Sequence, residues 1–209
     1  MTNVATSWTE VAYVTITEQS GVDVDFCSIS ESVNIDEGER PVETNYTLCG
    51  GKIVRTMVQG DTTVTMKAYP TQAGTAGTGT VGKGFHDMFY DSVTESATTG
   101  QIEVINERTT RKKFRLAVLW TNDTSSNSAV RQVVSPTYAA LRWTGRNGYI
   151  TKVAPSFEAN GQLAFDVTFL FPSNQSGGAA NIQVESISGG GTTATMATLS
   201  SYTSDTSGF

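Results

Sequence analysis

Hydrophobic and polar positions alternate with period two along much of this chain. In Gln162–Pro172, Leu163, Phe165, Val167, Phe169 and Phe171 fall on one side, against Ala164, Asp166 and Thr168. Lys113–Thr121 sets Phe114, Leu116, Val118 and Trp120 against Arg115 and Ala117. Thr63–Tyr69 sets Val64, Met66 and Ala68 against Thr65 and Lys67, and Tyr13–Thr17 sets Val14 and Ile16 against Tyr13, Thr15 and Thr17. Each pattern predicts a half-buried strand, because successive side chains of a strand point to opposite faces. Asn147-Gly148 and Asn160-Gly161 are hairpin signals, since both central residues of a type I′ turn take positive φ. They predict a three-stranded antiparallel meander over about 138–171, with Pro155 marking a bulge or an unpaired position in its middle strand. Further strands are expected at 21–29, 47–60, 101–108 and 181–188.

Helical spacing is rare. From Gly84 to about Val93, Phe85, Met88 and Phe89 lie at i, i+3 and i+4, one apolar stripe that predicts a short packing helix. Pro136–Leu141 is a weaker helical candidate. Ser30–Glu43 reads as a long acidic loop stiffened by Pro41, and Thr71–Gly84 as a Gly/Thr-rich connector. From Gly189 the chain is so poor in core-forming residues that a flexible tail, or an arm ordered by a partner, is expected. The division expected is therefore 1–188 for one β domain and 189–209 for a Gly/Ser/Thr-rich C-terminal arm.

Composition narrows the class. Only 38% of the 209 residues are hydrophobic and 16% charged, with Ser, Thr and Gly filling the difference, as extended strands with many turns require. The formal charge of −6 opposes a protein that grips nucleic acid through its backbone. No apolar run approaches the roughly 18–20 residues that span a bilayer, so no membrane partner is expected. The opening MTNVATSWTE has neither a basic n-region nor an apolar h-region, which predicts assembly in a cytoplasm rather than export.

Candidate chemistry is sparse. Gly77–Lys83 fits the glycine-rich phosphate loop, but Gly84 occupies the place of the magnesium-binding hydroxyl and no βαβ unit follows. The single histidine, His86, has no nucleophile motif or second ligand histidine. No catalytic residue, metal ligand or cofactor is assigned. Cys27 and Cys49 fit no metal or redox spacing and read as buried free thiols, a disulfide between them being the alternative. Asp36, Glu37, Glu39, Arg40 and Glu43 share one loop, and a stiff charged loop of that length in a compact domain is there to touch something. Arg108, Arg111, Lys112 and Lys113, followed by Arg115, form the basic complement, expected to meet that loop on a neighbouring copy.

Three stretches resemble the tail tube (major tail) proteins of long-tailed bacterial and archaeal viruses. They are DFCSISESVNIDEGERPVETNYTLCGGKIVRTMVQGDTTVTMKAY at 25–69, the glycine-rich connector into GFHDMFYD, and YAALRWTGRNGYITKVAPSFEANGQLAFDVTFLFP at 138–172. The resemblance implies an all-β antiparallel sandwich or barrel with one short flanking α-helix at about 84–93. It also implies hexameric rings stacked into a hollow tube, without catalysis, as part of a virion tail. The expected partners are further copies, other tail proteins at the tube ends, and viral DNA passing without specific binding. Ser30–Gly50 maps to the family's subunit-bridging loop, and Glu103, Glu158 and Asp166 are candidates for the lumen wall. A surface or secreted carbohydrate-binding module, an enzyme, and the tube protein of a contractile secretion machine are the alternatives.

Overall fold

The computed structural model describes residues 11–21, 23–27, 33–68, 111–122, 138–157, 161, 164–174, 178–188 and 196–209. The described residues are all-β and antiparallel. Ten strands run β1 (Val11–Glu18), β2 (Asp23–Cys27), β3 (Val33–Asp36), β4 (Val42–Tyr46), β5 (Lys52–Thr56), β6 (Thr62–Ala68), β7 (Phe114–Thr121), β8 (Ala139–Ser156), β9 (Ala164–Phe171) and β10 (Ile182–Ser188). Eight of them form one sheet in the order β2-β1-β7-β8-β9-β6-β3, with β10 also on β8, while among the described residues β4 and β5 pair only with each other.

The long strand β8 makes this sheet curl. Its first half, Ala139–Gly148, pairs with β7 and β10, and its second half, Tyr149–Ser156, pairs with β9. Two half-sheets result, β2-β1-β7-β8-β10 and β8-β9-β6-β3, facing one another across one core. Val14, Ile16, Leu116, Val118 and Trp143 from the first pack in the same buried cluster as Val64, Met66, Ile150, Val167, Phe169 and Phe171 from the second. The alternation read in β6 and β9 is realised: Val64 and Met66 are buried while Thr65 is exposed, and Phe165, Val167, Phe169 and Phe171 are buried while Asp166 is exposed. Strand β1 is not half-buried, since Tyr13, Thr15 and Thr17 are covered as fully as Val14 and Ile16.

Asn147-Gly148 does not turn the chain. Strand β8 passes straight through it, so the expected meander has two strands, β8 and β9, rather than three. Asn147 does take positive φ, at 57°, but it spends it on a bulge: Phe114 faces Gly148 while Leu116 faces Gly145, one extra residue on β8. A second extra residue lies between Ile150 and Lys152. Bulges bend a strand and sharpen its twist, and here they carry β8 from one half-sheet into the other. A Cβ at Gly148 would sit 2.2 Å from the Phe171 ring, and one at Gly145 2.9 Å from it, so the bend closes only around glycine.

Three further expectations change. Ala139–Leu141 is strand, not helix, because it pairs on both sides with β7 and β10. Pro155 sits in β8 where it pairs with β9, on the half whose other side meets no strand among the described residues, as the missing N–H of proline requires. Cys49 is a free thiol and exposed rather than buried, which removes the disulfide alternative. The expected helix with Phe85, Met88 and Phe89, together with Lys83, His86 and the strand at 101–108, lies outside the described residues.

Candidate assembly surface

Strands β4 and β5 form a hairpin that stands clear of the body. Every residue from Glu39 to Val58 is exposed, although the register places Glu43 opposite Arg55, Thr44 opposite Val54 and Tyr46 opposite Lys52. The tip is a tight loop: the Gly50 and Gly51 amides donate to the Thr47 carbonyl and hydroxyl at 3.0 and 2.9 Å, with Gly50 at φ 77°. Alternation puts Val42, Tyr46 and Val54 on one face, where the Lys52 ammonium lies 5.4 Å from the Tyr46 ring centre. Val42, Tyr46, Val54 and Leu48 are all more than half exposed, Leu48 completely. An isolated two-stranded hairpin is marginal in water, and contiguous apolar side chains left there mark a contact surface.

The neck that holds the arm is specific. Residues 37–39 and 59–61 run side by side, with the Gly60 amide donating to the Glu39 carbonyl at 2.9 Å and the Gln59 side-chain amide to the Glu37 carbonyl at 2.7 Å. Gly38 has φ 70°, and a Cβ there would meet the Asp61 carbonyl at 2.7 Å. The arm thus extends the β3–β6 pair beyond the edge of the second half-sheet.

The predicted contact residues divide. Asp36 ends β3 and accepts the Gly38 amide at 3.1 Å, while Glu37 pairs with Arg40 at 3.6 Å on the exposed neck. Glu39 is exposed there too, and Glu43 lies on β4 across from Arg55. These residues belong to a hairpin and its neck rather than to a stiff loop. The basic run is engaged within its own chain: Arg111 donates to the Ile150 carbonyl at 3.0 Å, Lys112 reaches Glu18 at 3.5 Å, and Lys113 reaches Asp205 at 2.7 Å. Asp166 is exposed on the outer face of the second half-sheet, with Lys67 as its cross-strand partner. Arg108, Glu103 and Glu158 lie outside the described residues.

The outer face of the first half-sheet is covered by the end of the chain. Residues 196–209, expected as part of a flexible arm, pack there as a strap, with Met196 and Leu199 buried beside Tyr13, Ala117, Leu119 and Ile187 and with Tyr202 buried at Asn147. The physical reason is a row of arginines. Arg115 donates to the carbonyls of Ser200 at 2.6 Å and Gly208 at 3.3 Å, Arg142 to that of Ala197 at 2.6 Å, and Arg146 to those of Thr206 at 2.7 Å and Ser207 at 3.2 Å. The Arg146 guanidinium also lies 4.0 Å from the Phe209 ring centre, and Arg142 bonds Glu185. Main-chain carbonyls supply what apolar side chains do not, so a Ser/Thr-rich segment is ordered after all. The signal in the sequence was the three-residue spacing of Met196, Leu199 and Tyr202, together with arginines alternating into a buried strand face at 142 and 146.

Tyr202 and Asp205 pin the strap. The Tyr202 hydroxyl donates to the Asn147 side-chain carbonyl at 2.9 Å and accepts the Asn147 amide at 3.1 Å, which holds the bulge, and burial pushes its phenol well above the ordinary value. Tyr202→Phe is expected to cost about 1–3 kcal/mol in urea unfolding, the penalty for stranding a buried amide. The Lys113 ammonium and the Gln19 amide, both bonded to the Asp205 carboxylate, hold it below the usual carboxylate range. A depressed carboxylate contributes stability above its unfolded value of about 3.9, which is lost as pH falls through the lower folded value. The protection of amides 200–209, taken relative to unfolded-chain exchange at the same pH, is therefore expected to fall only in acid below about pH 4. In Asp205→Asn that protection should already be somewhat lower at neutral pH, and an unchanged acid response in that variant would remove Asp205 as the cause.

No protein-family model matches this chain, and no curated protein matches it. Among solved structures it is similar to a chain of the sheath–tube complex of an extracellular contractile injection system (PVC) in the extended state. That match has 14% identity and a TM-score of 0.47, covering 83% of this chain and 88% of that one. It is also similar to a chain of the anti-feeding prophage (AFP) baseplate, at 10% identity and a TM-score of 0.46, covering 88% of this chain and 97% of that one. A third likeness is to the Hcp protein, at 10% identity and a TM-score of 0.35, covering 84% and 98%.

Proposed function

We propose that this chain is a structural subunit that assembles with copies of itself into rings and a hollow tube, as the tube of a viral tail or of a contractile injection machine. The observation that carries the reading is the β4–β5 arm, whose apolar side chains are exposed on a segment too thin to bury them. Strand edges supply the ring contact. In the second half-sheet every neighbouring pair is antiparallel, so β3 runs opposite to β8. Among the described residues neither the outer edge of β3 nor that of β8 beyond Ile150 pairs with a strand. Joining the β3 edge of one copy to the β8 edge of the next preserves the antiparallel alternation and makes a head-to-tail contact that closes by rotation. Six copies and a DNA cargo are the finer form of this reading, taken from the resemblance of 25–69 and 138–172 to tail tube proteins. Asp166, on the outer face of that half-sheet, then faces the lumen, and Asp36, Glu37, Glu39, Arg40 and Glu43 lie at the root and first strand of the arm that reaches a neighbour.

Electron microscopy of the concentrated, purified chain tests the reading. Rings or hollow rods are the expected result. A strict monomer at every concentration, with the arm protected in hydrogen exchange by its own body, would sink it. A chain that instead bound oligosaccharide as a monomer would favour a carbohydrate-binding module.

A further inference from the structure

We propose that the strap-covered face of the first half-sheet is a peptide-docking site whose occupant in the assembled state is the strap of a neighbouring copy. The inference rests on the ring reading above, because it needs a neighbour within reach. Three features of the site lead to it. The arginines recognise main-chain carbonyls, five of them between Ala197 and Ser207–Gly208, so the grip acts on an extended segment as such. The strap contributes no strand to the sheet over 197–209, so it seats by side-chain insertion of Met196, Leu199 and Tyr202 rather than by zipping onto an edge. The sequence between β10 and the strap is GGGTTAT, a tether of up to roughly 28 Å between Ser188 and Met196.

Every contact made within one chain is made equally between two identical chains. The choice between them is then set by tether reach and local concentration, and packing copies edge to edge raises the local concentration of foreign straps without adding any new contact. Buried arginines are also a costly way merely to cover a sheet, where apolar side chains of similar size do as well. They are suited to holding an exchangeable segment in one register, and the Tyr202–Asn147 and Asp205–Lys113 contacts set that register.

The test uses full-length chains in which Cys27 and Cys49 are serine. One population carries Ser20→Cys and the other Thr203→Cys, positions that touch through the Ser20 hydroxyl and the Thr203 carbonyl at 3.3 Å. The two are mixed, assembled and treated with a short bis-maleimide. A covalent heterodimer in the assembled fraction, absent from the same mixture kept dilute, is the expected result. A chain carrying both cysteines shows by its shifted mobility that the pair is reactive within one copy. Rings that form with no heterodimer overturn strap exchange and leave the ring reading standing. A heterodimer that persists in the dilute mixture overturns it as well, since exchange would then not depend on assembly. A failure to form rings at all sinks both.

Discussion

Replacing Arg40–Val58 with a two-residue Asn-Gly turn is expected to abolish ring and rod formation while leaving the unfolding free energy within about 0.5 kcal/mol of the parent. The second half follows from exposure. No residue from Glu39 to Val58 is buried, and the excised ends are already adjacent, the Gly60 amide bonding the Glu39 carbonyl at 2.9 Å. The Asn-Gly turn closes such a gap without strain. The first half follows from the concentration of apolar surface in the arm. Interfaces depend on a few aromatic and aliphatic anchors, so Tyr46→Ser with Leu48→Ser should reproduce most of the loss. Sedimentation velocity reads both variants against the parent. Rods of normal length from the armless chain would leave the arm without a role in assembly. A large drop in stability would instead show that the arm packs on its own body. Glu37→Lys with Glu39→Lys separates the acidic neck from the apolar arm: a neck whose charge matters weakens assembly in a salt-dependent way, whereas an apolar contact is indifferent to salt.

What was legible beforehand follows from the periodicities. Strands β6 and β9 announce themselves because one face is deeply buried and the other is more open, while in β1 and β7 period two survives in the residue types although both faces are covered. The signal was weaker where both faces are covered. In β7 the face carrying Arg115 and Ala117 reads as polar, yet both are buried, because the strap lies over them. A cover drawn from 196–209, far away in the chain, leaves no local trace at residue 115. Asn147-Gly148 misled for a related reason. Positive φ at an Asn-Gly pair is a local fact, and the structure confirms it at Asn147. Whether that angle reverses the chain or merely bulges it depends on what flanks it, and β7 pairs across both sides of the site. Ser30–Glu43 reads as a loop because its charges hide the start of an alternation that, in β4, faces water on both sides. Exposed hairpins have no buried face to imprint on the sequence. That same absence leaves Val42, Tyr46 and Val54, the apolar residues of the arm, without a local signal beside the acidic ones.

Truncating Phe171 to alanine is expected to cost about 3–5 kcal/mol, the range for a fully buried aromatic. Its ring stacks on Phe169 at 6.1 Å and meets Trp143 edge-on at 5.5 Å, so ring contacts are lost beyond the area. It also fills the hollow that Gly145 and Gly148 leave where β8 bends. Gly148→Ala alone is expected to cost about 1–3 kcal/mol by overpacking against the same ring. The two changes should not add. With the ring gone, the methyl at 148 enters the vacated space, and the double variant should be no less stable than Phe171→Ala alone, a coupling of at least about 1 kcal/mol by double-mutant cycle in urea. Strict additivity would mean that Gly148 is required for its backbone rather than for room. Its neighbour Asn147, not Gly148, holds the positive φ, and on that ground steric contact with Phe171 is the constraint that ties the bend in β8 to the core between the two half-sheets.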